Sequence, residues 1–155
     1  MLDGGVVVKE LQTMRDEGHL SDALLRKAVR SIRSGEERYD WVGVYLVGEG
    51  EELWLHNYVG EPTEHAKIAS GMGICGRALA TRRNANVKDV SKDEAYLPGS
   101  PETKSELVIL IRAGEQIYGE ININSDTANA FKDNDEISLI GIADKLAEQL
   151  AAERR

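Results

Sequence analysis

The sequence predicts an α+β domain, in which an antiparallel sheet has helices on one face and a ligand pocket on the other. Two observations lead to this fold class. Strand-like segments come in adjacent pairs joined by tight turns, and such pairs run antiparallel. Segments with helical apolar spacing lie toward both ends of the chain, where they can cover one face of the sheet while the middle of the chain covers the other.

The composition is that of an ordinary globular domain, with 155 residues, 41% hydrophobic and 30% charged. We expect one domain over 1–155, with N-terminal helices in 1–35, sheet and pocket in 36–132, and a C-terminal helix in 133–155. A net charge of −8 and a pI near 4.9 argue against nucleic-acid and membrane partners. Because no signal peptide and no apolar run near the roughly 20 residues of a membrane helix is found, we expect a cytoplasmic protein.

Three segments have the apolar spacing of amphipathic helices. Residues 5–17 and 20–34 form the first two, and Ser21 is the expected N-cap of the second. A third helix follows a cap at Asp133 or Asp135 and forms the end of the chain.

The first strand, over residues 39–47, is apolar on both faces, which is typical of a central strand covered on both sides. A returning strand over 52–59 follows a hairpin turn. One face of the first strand is aliphatic and suits packing under helices, while the other is aromatic with a glycine gap and suits a cavity wall. The aliphatic face carries Val42, Val44 and Leu46, and the aromatic face carries Tyr39, Trp41, Gly43, Tyr45 and Val47.

The middle of the chain is predicted to form a short inserted α/β segment, which we call the excursion. Residues 65–69 and 85–88 form short strands, and between them the glycine-rich stretch 71–76 leads into a helix over 77–81. Residues 89–104 are polar and form a long loop, a length that in compact domains is typical of lids and binding loops.

Residues 106–112 and 116–124 form the clearest hairpin. Strict alternation gives its second strand an apolar side and a hydrogen-bonding side. The apolar side carries Ile117, Gly119, Ile121 and Ile123, and the polar side carries Tyr118, Glu120, Asn122 and Asn124.

Four stretches together are similar to a known family: YDWVGVYLV at 39–47, GMGICG at 71–76, KSELVILI at 104–111 and GEININS at 119–125. In this order and spacing, over residues 20 to 150, the chain resembles the GAF domains of the free methionine-R-sulfoxide reductases. The resemblance implies a GAF-like fold with a six-stranded antiparallel sheet, and a homodimer.

In that family a catalytic cysteine on the long loop attacks the sulfoxide sulfur, and a second cysteine resolves the sulfenic acid as a disulfide that thioredoxin reduces. Matched by motif, Cys75 retains one family cysteine, whereas His65 stands at the resolving position and Gly99 at the catalytic position. Because the sequence holds one cysteine, the resemblance implies a reductase scaffold that lacks the catalytic and resolving pair.

The resemblance also implies a set of ligand-binding residues. Trp41 and Tyr45 match the family's aromatic wall, Glu106 matches a retained carboxylate, and Asn122 and Asn124 stand where the family has aspartates. Losing two carboxylates weakens the attraction for an ammonium group, so we expect a ligand less cationic than a free amino acid.

Each candidate residue also has a structural interpretation. Cys75 fits a buried small side chain as well as a redox-sensing thiol. Trp41 and Tyr45 fit a core, and Asn122 and Asn124 fit the solvent face of an edge strand. The histidines lack metal-ligand spacing, and we predict no metal and no cofactor.

These observations favour a non-catalytic GAF domain that binds an unknown small molecule and acts in signal transduction through a homodimer or a partner protein in trans. The alternative is a methionine-R-sulfoxide reductase-like enzyme that uses Cys75 with an external thiol. A structural or dimerisation module with a vestigial pocket is the third hypothesis.

Overall fold

Four helices and six strands make up the computed structural model, which describes residues 1–154. The order matches the predicted succession of two helices, two strands, a short excursion, a hairpin and a long helix. The elements are α1 (Gly4–Asp16), α2 (Ser21–Gly35), β1 (Trp41–Val47), β2 (Leu53–Val59), β3 (Lys67–Ile68), α3 (Gly73–Thr81), β4 (Ala85–Val87), β5 (Ser105–Ala113), β6 (Gln116–Ser125) and α4 (Asp133–Glu153).

The strands form one sheet in the order β3-β2-β1-β6-β5-β4, and every neighbouring pair is antiparallel. β1 and β6 are the central strands, and their register sets Trp41 opposite Asn124 and Tyr45 opposite Glu120. The predicted six-stranded antiparallel sheet is therefore confirmed, and its centre is where the predicted site residues meet.

The terminal helices α1, α2 and α4 cover one face of the sheet, as predicted. Val42 and Val44 of β1 and Ile121 and Ile123 of β6 are fully buried in the same core as these helices. Burial of aliphatic side chains contributes about 1.5–3 kcal/mol each, so this core dominates the stability of the domain. The other face is left for α3 and the excursion.

The helix α3 begins at Gly73, earlier than the predicted start at residue 77. Gly73 has a positive φ of 66°, which glycine adopts without strain. A side chain at Gly76 would place its Cβ 2.5 Å from the carbonyl oxygen of Ala69. These glycines bring the first turn close to the preceding loop, so Cys75 lies inside the helix and not in a turn before it.

A bulge in the β5–β6 hairpin changes which residues of β6 share a face. The register shifts between Ile111, opposite Gly119, and Arg112, opposite Ile117. Tyr118 therefore packs in the helix-side core and Ile117 on the opposite side, the reverse of strict alternation. The predicted faces are wrong at residues 117 and 118 and hold from Gly119 onward.

Two predicted helix caps are wrong. Ser21 is the first helical residue of α2 and not its N-cap, and its hydroxyl donates to the Glu153 carboxylate at 2.6 Å. Lys132 is the N-cap of α4, and its backbone N–H donates to the Asp135 carboxylate at 2.8 Å. Asp135 thus lies inside the first turn, where a carboxylate also complements the helix dipole, and Asp133 is the first helical residue and not the cap.

Within residues 1–154, no helix combines the length and the apolarity needed to cross a bilayer.

Candidate functional site

A cavity of about 600 Å³ lies between the sheet face opposite the terminal helices and the segments that precede α3 and β5. This volume is in the range of small-molecule sites. All five predicted ligand residues line it together with Cys75 and Gly99. The lining comprises Trp41, Tyr45, Glu61, Pro62, Thr63, His65, Ile68, Gly73, Ile74, Cys75, Leu97, Gly99, Ser100, Pro101, Glu102, Thr103, Glu106, Asn122, Asn124 and Asp126.

The aromatic wall of the cavity comes from β1. The indole Nε1 of Trp41 donates to the carbonyl of Glu61 at 3.0 Å, and the Tyr45 hydroxyl donates to the carbonyl of His65 at 2.8 Å. A Cβ at Gly43 would lie 2.4 Å from Trp41 Cη2, so the missing side chain lets the indole lie over the strand. Both aromatic rings are therefore held in place and still line the cavity.

The polar floor of the cavity comes from β5 and β6. The Asn122 amide donates to Glu106 Oε2 at 2.7 Å, and the Asn124 amide donates to Asn122 Oδ1 at 3.3 Å. The sheet register sets Glu106 opposite Asn124, which brings the three side chains together. The structure therefore joins these predicted site residues in one hydrogen-bonded chain.

Glu106 is only 6% exposed, and burial raises the pKa of its carboxyl to about 7. Hydrogen bonds from Asn122 and Cys75 oppose this rise without cancelling it. Near neutral pH, Glu106 therefore exists as a mixture of acid and carboxylate, and it can either donate or accept a hydrogen bond from a ligand.

Cys75 lies in the first turn of α3 and is 4% exposed, with its Sγ 3.7 Å from Glu106 Oε2. Burial raises the pKa of the thiol well above its ordinary value, and the neighbouring Glu120 and Glu106 raise it further. Because the thiolate is the nucleophilic form, this environment suppresses thiol reactivity at neutral pH.

Glu120 is a residue that the sequence reasoning assigned no role, although alternation places it beside Asn122 and Asn124. It is fully buried, and within residues 1–154 neither carboxylate oxygen has a hydrogen-bond partner. Burial raises the pKa of this carboxyl well above its ordinary value; the adjacent Cys75 thiol opposes the rise, and Glu106 adds to it. The sequence did contain a signal that could have identified Glu120, namely a charged residue on the polar face of a predicted strand.

The loop that precedes β5 closes the cavity near Gly99. A Cβ built there would have His65 Cδ2 and Thr63 Oγ1 as its nearest neighbours, both at 4.0 Å, which is ordinary contact. The His65 ring Nε2 lies 2.7 Å from the Pro98 carbonyl oxygen and holds the loop against the segment before β3. The position that the resemblance assigns to a catalytic thiol is thus spacious and has no side chain.

A salt bridge also holds the start of this loop against α3. The Arg77 guanidinium donates to both carboxylate oxygens of Asp93, at 2.9 and 2.7 Å. This bidentate pair lowers the pKa of Asp93 and neutralises the Arg77 guanidinium. In the part of the chain that the structure describes, no three His, Cys, Asp or Glu side chains are arranged to hold a metal ion.

The fold and the site define a class of α+β domain in which helices cover one face of an antiparallel sheet and a ligand-sized cavity lies on the other. The chain belongs to the GAF domain family, whose model matches residues 21–153.

Several relatives are named reductases or GAF proteins. The chain is 35% identical to GAF domain-containing protein A of Dictyostelium discoideum over 62% of this chain and 60% of that protein. It is 30% identical to the free methionine-R-sulfoxide reductase of Escherichia coli over 72% of this chain and 67% of that enzyme. Among solved structures, the type II free methionine-R-sulfoxide reductase of Thermoplasma acidophilum superimposes with a TM-score of 0.80 and 35% identity, over 85% of this chain and 93% of that one.

Proposed function

We propose that the chain is a non-catalytic GAF domain that binds a small molecule in the cavity between Trp41 and Glu106. The observation that supports this most is the combination of a well-formed lining with a glycine at the reactive position. Two aromatic side chains, a carboxyl and two amides converge on the cavity, whereas Gly99 has no thiol to offer. A site with convergent polar groups, no thiol at the predicted catalytic position and a buried Cys75 thiol whose pKa is raised suits binding better than turnover.

The alternative, a thiol enzyme that works through Cys75, rests on the fact that Cys75 lines the cavity and on relatives that are named reductases. Its weakness is the buried environment of the thiol. A Cys75 thiolate would form beside the Glu106 and Glu120 carboxyls with both carboxyls raising the thiol pKa. We therefore place the enzyme second.

A thioredoxin-coupled assay with free methionine-R-sulfoxide tests the choice between these functions. We expect no turnover by the parent protein. Turnover that disappears in Cys75→Ser would overturn the non-catalytic proposal and favour the enzyme. The matched variant Gly99→Cys places a thiol in the open space beside His65, and activity gained only in that variant would support a lost reactive centre.

The same proposal includes signalling through self-association or through a partner protein in trans. Apolar side chains are exposed along α1 and α4, where Val6, Ile137 and Ile140 are 51%, 69% and 39% exposed. The two helices pack closely there, since a Cβ at Gly4 would lie 2.8 Å from Ser138. We propose that this exposed apolar face is the homodimer surface. We also propose that the protein acts in the cytoplasm, which cell fractionation tests.

A further inference from the structure

The charges that line the cavity have one sign. Glu61, Glu102, Glu106 and Asp126 line it, and among residues 1–154 no lysine or arginine does. A cavity with low-dielectric walls and one sign of charge concentrates its field on the ligand. The sequence expectation of a less cationic ligand rested on the aspartates missing at Asn122 and Asn124, and it did not count these other carboxylates.

The carboxyls occur at both ends of the cavity. At the floor, Glu106 lines the cavity and is buried against Asn122, whose amide donates to Glu106 Oε2 at 2.7 Å. A buried carboxylate costs stability unless it is paired, and a positive group placed against Glu106 would supply that pair.

At the mouth, Glu61, Glu102 and Asp126 are exposed. Partial burial raises the pKa of Asp126, and the like charges of Asp40 and Glu102 raise it further, with Lys104 opposing them. Carboxylates that disfavour one another's charge gain most when a cation is placed among them.

The positive groups near the cavity are weaker than the carboxyls that line it. The Arg77 guanidinium is already held by Asp93. The N-terminus of α3 presents Gly73 and Ile74 to the cavity without a side-chain cap among the described residues. A helix N-terminus supplies about half a positive charge, enough to accept a ligand carboxylate at one point, but not enough to offset the four carboxyls.

We propose that the natural ligand has two positively charged ends, one placed against Glu106 at the floor and the other among Glu61, Glu102 and Asp126 at the mouth. A linear diamine or a basic amino acid has this chemistry. Trp41 and Tyr45 would pack along the methylene chain between the two charges, and Trp41 would add cation–π attraction. The inference rests on the proposed small-molecule binding and names its ligand class.

Ligands that share a head group and differ only in the charge of the tail test how that charge affects affinity. Lysine, norleucine and 2-aminoadipate share one head group and differ in a positive, neutral or negative tail. Cadaverine, pentylamine and 5-aminopentanoate repeat the series on an amine head. By titration calorimetry at low ionic strength, we expect each positive-tailed compound to bind at least about tenfold more tightly than its neutral analogue, and the negative-tailed compound to bind most weakly.

The variant Glu61→Gln/Glu102→Gln removes mouth charge. Because Asp126 remains, it should bring the affinity for lysine and cadaverine most of the way down to that for norleucine and pentylamine, which a merely structural role would not do. The control Glu64→Gln/Glu94→Gln removes two exposed carboxylates that do not line the cavity and should leave the preference intact.

The outcomes separate this inference from the proposal beneath it. Equal or tighter binding of the neutral-tailed compounds overturns the doubly charged ligand and leaves small-molecule binding standing. The same holds if a broad metabolite screen finds a ligand but neither lysine nor cadaverine binds. If nothing binds in the series or in that screen, both proposals are overturned.

Discussion

At the residue scale, a carboxyl group occupies a position that hydrophobic side chains usually fill. Glu120 is fully buried on a central strand, next to Cys75 and Glu106, and its oxygens have no hydrogen-bond partner within the described chain. A buried polar group in this state costs about 1–3 kcal/mol of folding free energy. Residues that lower stability often occur where function requires them.

We expect Glu120→Val to raise the melting temperature, because valine has a similar volume, suits a strand and needs no hydrogen bond. The gain should be several degrees, at about 2–4 °C per kcal/mol for a chain of this size. Differential scanning calorimetry measures it. Glu120→Gln is the control, since its amide stays unpartnered; a valine variant less stable than the glutamine variant would show that the carboxyl has a favourable partner.

Glu106 makes the free energy of unfolding decrease as the pH rises. Its folded-state pKa of about 7 lies above the ordinary glutamate value of 4.5, so the folded state binds the proton more tightly than the unfolded state. Its contribution is therefore complete below pH 4.5 and decreases as the pH rises to about 7, by about 3 kcal/mol in total.

Glu106→Gln removes this titration. Urea unfolding between pH 5 and pH 8 should show a smaller loss of stability in the variant than in the parent. If the free energy of unfolding changes with pH in the same way in both proteins, Glu106 is not the buried carboxyl with a raised pKa that we assign to the floor of the cavity.

At the element scale, β1 shapes the cavity through a missing side chain. The Trp41 indole lies where a Cβ at Gly43 would be, with 2.4 Å between that Cβ and Cη2. We expect Gly43→Ala to displace the indole and to destabilise the domain by about 1–3 kcal/mol, as overpacking does. A blue or red shift in tryptophan fluorescence together with a lower melting temperature would report both effects.

Gly141 provides the matched control. It lies inside α4, and a Cβ there would meet only Val8 Cγ2, at 3.9 Å. Gly141→Ala should therefore stabilise the helix by about 0.5–1 kcal/mol. If both alanine variants behave alike, the close packing of Trp41 on Gly43 is not the cause.

At the scale of the whole molecule, periodicity was enough to predict the layer arrangement, because a central strand such as β1 is apolar on both faces and the terminal helices have apolar stripes. It was not enough to predict the face of Tyr118, because a bulge adds a residue without an obvious sequence signal. Glu120 and the acidic mouth were missed for a related reason. The sequence shows which side a residue faces but not whether a neighbour compensates its charge.

Self-association also belongs to this scale. We expect the parent to be a dimer by light scattering and Ile137→Glu/Ile140→Glu to be a folded monomer, because the change puts charge into the exposed apolar face of α4. The control Leu20→Glu alters an exposed leucine before α2, which is 64% exposed, and should stay dimeric. A monomeric parent would contradict the proposed dimer surface.

The central claim is that the cavity binds a small molecule without thiol chemistry. A thermal-shift screen of metabolites, run in parallel on the parent and on Cys75→Ser, tests it most directly. At 100 times its dissociation constant, a ligand should stabilise both proteins equally, by about 2.7 kcal/mol. A screen in which no compound stabilises the folded parent, or in which stabilisation requires the Cys75 thiol, would contradict the account.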